Sequence, residues 1–183
     1  NSDVAFRPVY MVNAPDGSVL IADFYERYIA HGQHYQSQID PTSGRIYRLR
    51  AEAKPLTADT NLRSKTDGQL IDLLAHPNKW HRQTAVGLLG QRANAVTKAE
   101  LQKRIKVETG RAALHGLWAL HLAGGLDDAF AADLLRHPFP HVRAWAVRLC
   151  GDQRELSAGL FNAVRRLAKR EGHPEVCSQI AGT

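Results

Sequence analysis

The stretch LLAHPNKWHRQTAVGLLG begins at Leu73, and LLRHPFPHVRAWAVRLCG begins at Leu134, which is 134 − 73 = 61 residues later. Nine of the 18 aligned positions are identical: two leucines, His-Pro, one Arg, Ala-Val, Leu and the closing Gly. A weaker copy lies between them. Gly116-Leu117 corresponds to Ala85-Val86 by 116 − 85 = 31 and to Ala146-Val147 by 146 − 116 = 30. The underlying period is thus about thirty residues, the length of a two-helix unit. Such a unit carries an apolar face that it cannot cover alone. Stacking the next unit on it removes that surface from water at about 25 cal/mol per Å², which predicts a helical array from Lys65 to Thr183 with a further pair incomplete at its end.

Start and stop signals place the helices. Thr66-Asp67 caps a helix through Leu70, Ile71, Leu73 and Leu74. It stops near His76-Pro77, because proline breaks the hydrogen-bond ladder and biases the residue before it away from helix. Asn78 caps the next helix, whose inner face is His81, Thr84, Ala85, Leu88 and Leu89, with Gly90 expected to end it. The second copy runs DDAFAADLLRHP, stops at Pro138, and presents Val142, Trp145, Ala146, Leu149 and Cys150 before Gly151. Between these copies a helix is expected from about Thr97. After them RELSAGLFNAVRRLAKREG and HPEVCSQIAGT begin another pair.

Residues 1–50 read differently. RPVYMV, the run Ser18 to Phe24 after an Asp16-Gly17 turn, and GRIYRLR predict three short strands. Bulky residues on both faces of the third suit a buried or sandwiched sheet. Three strands cannot bury both of their own faces, so this unit needs neighbours. Residues 51–64, with Pro55 and small polar residues, form a linker. The expected organisation is a β segment over 1–50, a linker over 51–64 and helical repeats over 65–183.

Charge separates the same two parts. The chain carries 24 Lys/Arg and 18 Asp/Glu. Asn1 to Ser64 balances seven against seven, so the net 17 − 11 = +6 lies in Lys65 to Thr183. Solvated faces of a helical array account for such an excess. The rival reading is a binding module whose basic face engages nucleic acid or an acidic protein. Nucleic acid is the less expected of the two, because basic residues do not interleave with the tryptophans on one face. No apolar run reaches the length of a membrane span. Cys150 and Cys177 each fall in an apolar helical pattern and are expected as small core thiols, not as a disulfide.

The pattern VRAWAVRLCG with a proline just ahead resembles the HEAT/armadillo repeat. FRPVYMVNAPDGSVLIADFYERYIAHG followed by DPTSGRIYRLR resembles the closing blade of a β-propeller. In this order they resemble large exported dehydrogenase-like proteins of planctomycetes and verrucomicrobia, in which a glucose/sorbosone-dehydrogenase-type propeller precedes HEAT-like repeats and a cytochrome c module. The motifs that carry the likeness are Phe6-Arg7-Pro8-Val9, Pro15-Asp16-Gly17, Ala22-Asp23-Phe24-Tyr25, His31-Gly32 and Gly44-Arg45-Ile46-Tyr47-Arg48. The fold implied is mainly α, a HEAT/armadillo-like α-α superhelix with a small N-terminal antiparallel β segment. The resemblance also implies a periplasmic or exported parent protein, a dehydrogenase with haem c and a quinone cofactor. The propeller and the cytochrome c module would then be this region's partners within one polypeptide. The chain itself departs from that pattern, since covalent haem attachment needs C-x-x-C-H, whereas Cys150 precedes Gly-Asp and Cys177 precedes Ser-Gln.

No catalytic residue, resident cofactor or metal site is expected within the chain. Asp23 and His31 are the candidate loop site, since a strand end and the loop after it would present side chains to a substrate or metal in a propeller. The competing reading is that Asp23 accepts backbone hydrogen bonds and His31-Gly32 shapes a loop. His137 and His141 stand four apart, yet Pro138 and Pro140 break the helix that would align them on a metal. Arg82 and Arg143 recur at one repeat position and are read as structural, bonding an acidic group or carbonyl of an adjacent repeat. Pro77 and Pro138 recur as turn residues, with His76 and His137 ahead of them. Trp118 and Trp145 are expected to pack between helices.

Overall fold

Three strands come first in the computed structural model: β1 (Pro8–Asn13), β2 (Val19–Asp23) and β3 (Arg45–Leu49). The described residues are 5–24, 42–52, 56, 59–152 and 156–183. The strands form one antiparallel sheet in the order β1-β2-β3. Gly17 takes φ 92 in the connecting turn, a conformation that a residue with a Cβ adopts only with strain. Asp16 Oδ1 accepts hydrogen bonds from both the backbone N–H and the hydroxyl of Ser18, at 3.0 and 2.6 Å. That short tether sets the register, so that Asn13 faces Val19 and Val12 faces Leu20. On the central strand Ile21 and Asp23 are buried. All six residues of β1 are exposed, as are Ile46 and Leu49 of β3. Within this chain the outward apolar residues of the third strand are thus left uncovered.

Among the described residues eight α-helices follow: α1 (Asp67–Leu73), α2 (Lys79–Arg92), α3 (Ala95–Val107), α4 (Gly110–Leu122), α5 (Asp128–Leu134), α6 (Pro140–Gly151), α7 (Ala158–Ala168) and α8 (Pro174–Gly182). The repeat seen in the sequence is a repeat of structure. Adding 61 to the ends of α1, 67 and 73, gives 128 and 134, the ends of α5. The chain is thus mainly helical with a small N-terminal antiparallel sheet.

Local chemistry explains the boundaries. Thr66 and Gln69 form a reciprocal capping box at α1, satisfying two donors that the first turn leaves free. Asn78 Oδ1 accepts from Trp80 N–H at 2.9 Å at the start of α2. Asp127 and Ser157 cap α5 and α7 in the same way. Pro140 and Pro174 stand at the first turn of α6 and α8, where the missing N–H costs nothing and the fixed φ suits a helix. Helix α3 begins at Ala95 and not at Thr97, because the Asn94 side chain accepts from the backbone N–H groups of Val96 and Thr97.

The chain divides into two units, Asn1–Thr60 with Asn78–Trp80, and Asn61–Pro77 with His81–Thr183. Within the second, first helices pack on first helices, α1 on α3 and α5 on α7. Second helices pack on second helices, α4 on α6 and α6 on α8. Leu89, Leu101, Ile105, Leu117, Leu120 and Val142 are fully buried between them. Gly90 corrects a sequence expectation, whereas α6 does end at Gly151. Neither takes a left-handed φ; Gly90 lies inside α2, which runs on to Arg92, and Gly151 is the last residue of α6. A Cβ on Gly90 would stand 2.7 Å from Leu122 Cβ, and one on Gly151 would stand 2.1 Å from Thr183 Cγ2. Since 90 + 61 = 151 and 122 + 61 = 183, this is one crossing occurring twice. Glycine is used there for close approach, not for a cap.

Candidate functional site

The two repeat arginines anchor the chemistry of the helical unit. Arg143 Nη1 donates to the carbonyls of His137 and Pro138 at 2.8 and 3.2 Å. Its Nε and Nη2 grip Glu171 at 2.7 and 2.8 Å, a bidentate pair. Glu171 leaves only 4% of its side chain exposed. Hydrogen bonding to Arg143 holds its carboxyl down to about 2, with the N–H groups of His173 and Gly172 adding to the effect. Arg82 repeats half of this arrangement. Its Nη1 donates to the carbonyls of His76 and Pro77 at 2.6 and 2.7 Å. Its Nε is buried and has no hydrogen-bond partner. Burial lowers the pKa of this guanidinium, and the positive charge of Arg111 lowers it further.

An apolar groove lies on α2, α4 and α6, lined by Gln83, Val86, His115, Trp118, His121, Leu122, Trp145 and Leu149. Trp118 and Trp145 meet edge to face, with ring centroids 4.9 Å apart, and His115 also stands 4.9 Å from Trp118. The Trp118 indole N–H is buried without a partner. Arg148 lies 5.0 Å over the Trp145 ring, a cation–π distance. His115 Nδ1 faces the Arg111 carbonyl at 2.7 Å, which makes Nδ1 the protonated nitrogen. Burial, with Arg82 and Arg111 nearby, lowers its pKa. The tryptophans do pack between helices, but they also line a surface. Their separation, 145 − 118 = 27, falls about one helical turn short of the repeat, and that offset brings the two rings together on neighbouring helices. It is the one signal in the sequence that could have disclosed the groove.

The other expected positions are structural in their contacts. His137 Nε2 donates to the Ile105 carbonyl at 2.8 Å, and Nδ1 accepts from Phe139 N–H at 3.1 Å. Both ring nitrogens are thereby engaged, and His141 turns instead to Glu175 at 2.8 Å. Pro77 and Pro138 lend their carbonyls to the repeat arginines. Asp23 is buried, and its Oδ1 accepts from Arg7 N–H at 2.8 Å, which ties the start of β1 to the end of β2. His31 lies outside the described residues. Among the described residues no group of three or more metal-ligating side chains comes together, and no helix is long and apolar enough to cross a membrane.

The cysteines do not fit a haem attachment. Cys150 is buried on α6, where desolvation pushes its thiol up to about 11. Cys177 is exposed on α8, so the expectation of a second core thiol is corrected. Val176 takes the inward position with no exposure, and one residue further round a helix of 3.6 residues per turn points away from it. Neither thiol belongs to a C-x-x-C-H sequence.

Residues 1–53 match a family described as a domain of unknown function, DUF7133. No curated protein and no solved structure matches the chain.

Proposed function

We propose that this chain is a non-catalytic helical-repeat scaffold of the HEAT/armadillo-like superhelical kind, joined to a β segment that closes a propeller. In this reading it belongs to an exported, periplasmic dehydrogenase and connects the sugar- or alcohol-oxidising propeller to a cytochrome c module. Haem c and a quinone cofactor would reside in those neighbouring modules of the same polypeptide.

The observation that carries the scaffold reading is the 61-residue recurrence of helix ends together with its side chains. The Gly90–Leu122 crossing returns as Gly151–Thr183, and the Arg82–carbonyl contact returns at Arg143. Repeats that contact only their neighbours give a surface extendable by length, suited to holding modules apart. The dehydrogenase assignment rests on the resemblance of the blade-linker-repeat order. Its test is expression of the parent polypeptide containing this region. A haem c absorption spectrum with reduction by sugars or alcohols is expected, and the lack of both haem and turnover contradicts the assignment.

A further inference from the structure

Three arginines of the helical unit line one cleft. Arg136 stands just past the end of α5, Arg166 in the last turn of α7 and Arg170 just beyond it. The cleft measures about 130 Å³, and its walls include the small side chains of Ala132 and Ala163. All three arginines are exposed. Arg170 Nη2 lies 3.4 Å from the Leu135 carbonyl, while the side chains of Arg136 and Arg166 have no ion pair or hydrogen bond among the described residues. The carboxylates that line this cleft and the adjoining one are already engaged. Asp133 pairs with Lys106 at 3.2 Å, and Glu171 is held by Arg143. A helix C-terminus favours a cation in its last turn, which accounts for a basic residue on each helix but not for three around a single cleft. Nor does the repeat require them, since the position of Arg136 is Ala75 in the first copy, 136 − 61 = 75. Like charges gathered without counter-charge repel one another, and an anion placed between them relieves that repulsion.

We propose that this cleft is a binding site for the phosphate monoester group of a small soluble molecule. Each guanidinium presents a planar fork of N–H donors that matches the oxygens of a phosphate. A monoester offers three terminal oxygens, one for each arginine, and close to two negative charges. A carboxylate offers only two oxygens and a single charge. The lining disfavours larger sources of the same group. Among the described residues no aromatic ring stands in it for a nucleic-acid base to stack on. Its apolar members, Leu135 and the two alanines, are buried or half-buried, with no large apolar side chain left to enter a lipid layer. The +6 excess of Lys65 to Thr183 favours the approach of an anion to this unit. None of this depends on the dehydrogenase assignment.

The test is a titration of the isotopically labelled 183-residue chain with glycerol phosphate at low salt, followed through the arginine Nε–H and backbone N–H resonances of α5 and α7. Saturable shifts at Arg136, Arg166 and Arg170 are expected, and glycerol alone should give none. Arg136→Gln and Arg166→Gln should each weaken binding about tenfold, as befits loss of a charge-assisted contact. Arg165→Gln removes an equal charge one residue away on α7, outside the lining, and should change binding by less than about twofold. All of these side chains are exposed, so the variants should keep the fold, as checked by the rest of the spectrum. Equal weakening by the three variants would reveal a diffuse attraction to net charge and overturn the proposal, as would the lack of saturable shifts. Preference for vesicles of phosphatidylcholine and phosphatidic acid, or for single-stranded DNA, over glycerol phosphate would overturn it too, since the phosphate bound would then be that of a lipid or a nucleic acid.

Discussion

Glu171 shows how one carboxylate secures a repeat. Its carboxyl is held down to about 2, chiefly by Arg143, so its folded-state pKa lies below the ordinary carboxylate value. A group of that kind stabilises the fold fully above the ordinary range and loses its contribution as pH falls toward the folded value. The stability gap between the parent and Glu171→Gln should therefore be constant above about pH 5 and close between there and about pH 2, as read from urea unfolding at a series of pH values. A gap that widens on acidification contradicts this role. The two thiols give a second contrast at the same scale. A disulfide-exchange reagent at pH 8 should label Cys177 at once and Cys150 only as fast as the protein opens, since the buried thiol is pushed up to about 11 and the thiolate is the reactive form. Equal labelling rates would mean that α6 does not shield its inner face.

At the scale of elements the decisive contacts are helix crossings. Gly90→Ala adds a Cβ 2.7 Å from Leu122 Cβ, an atom fixed to the backbone of α4. Better helix propensity is worth up to about 1 kcal/mol, but overpacking costs about 1–3 kcal/mol, so a net loss of roughly 1 kcal/mol is expected in thermal unfolding. Gly151→Ala meets a methyl group of Thr183. The Thr183 hydroxyl donates to the Gln179 carbonyl at 2.9 Å, which holds that methyl group in place, so a loss of roughly 1 kcal/mol is expected here as well. These glycines also show where sequence reading stops. The caps at Thr66 and Asn78, the turns at Pro77 and Pro138 and the Asp16-Gly17 hairpin were legible, because each is a local signal carried by a few adjacent residues. A glycine near a helix end reads equally as a cap or as a site of close approach, and only the partner helix decides between them. The same holds for Cys177, whose inward or outward position is settled by Val176 beside it. The unmatched edge of Arg82 was out of reach for the same reason: it depends on what lies opposite, some thirty residues away.

For the whole molecule the proposal to be tested is that the helices of residues 65–183 cover one another's apolar faces as successive neighbours. The 61-residue recurrence of helix ends was legible from sequence alone, whereas the exposure of β1 and of Ile46 and Leu49 was not, because alternation of residues predicts two faces but not what covers them. Neighbour-only packing has a consequence for stability, since each unit's free energy comes from itself and the units on either side of it. End units have one neighbour and should open at lower free energy than inner ones. Native-state hydrogen exchange across the 183-residue chain measures this directly. The account predicts graded protection, highest in α4 and α6 and falling toward α1 at one side and α8 at the other. A single opening free energy shared by all eight helices would contradict it.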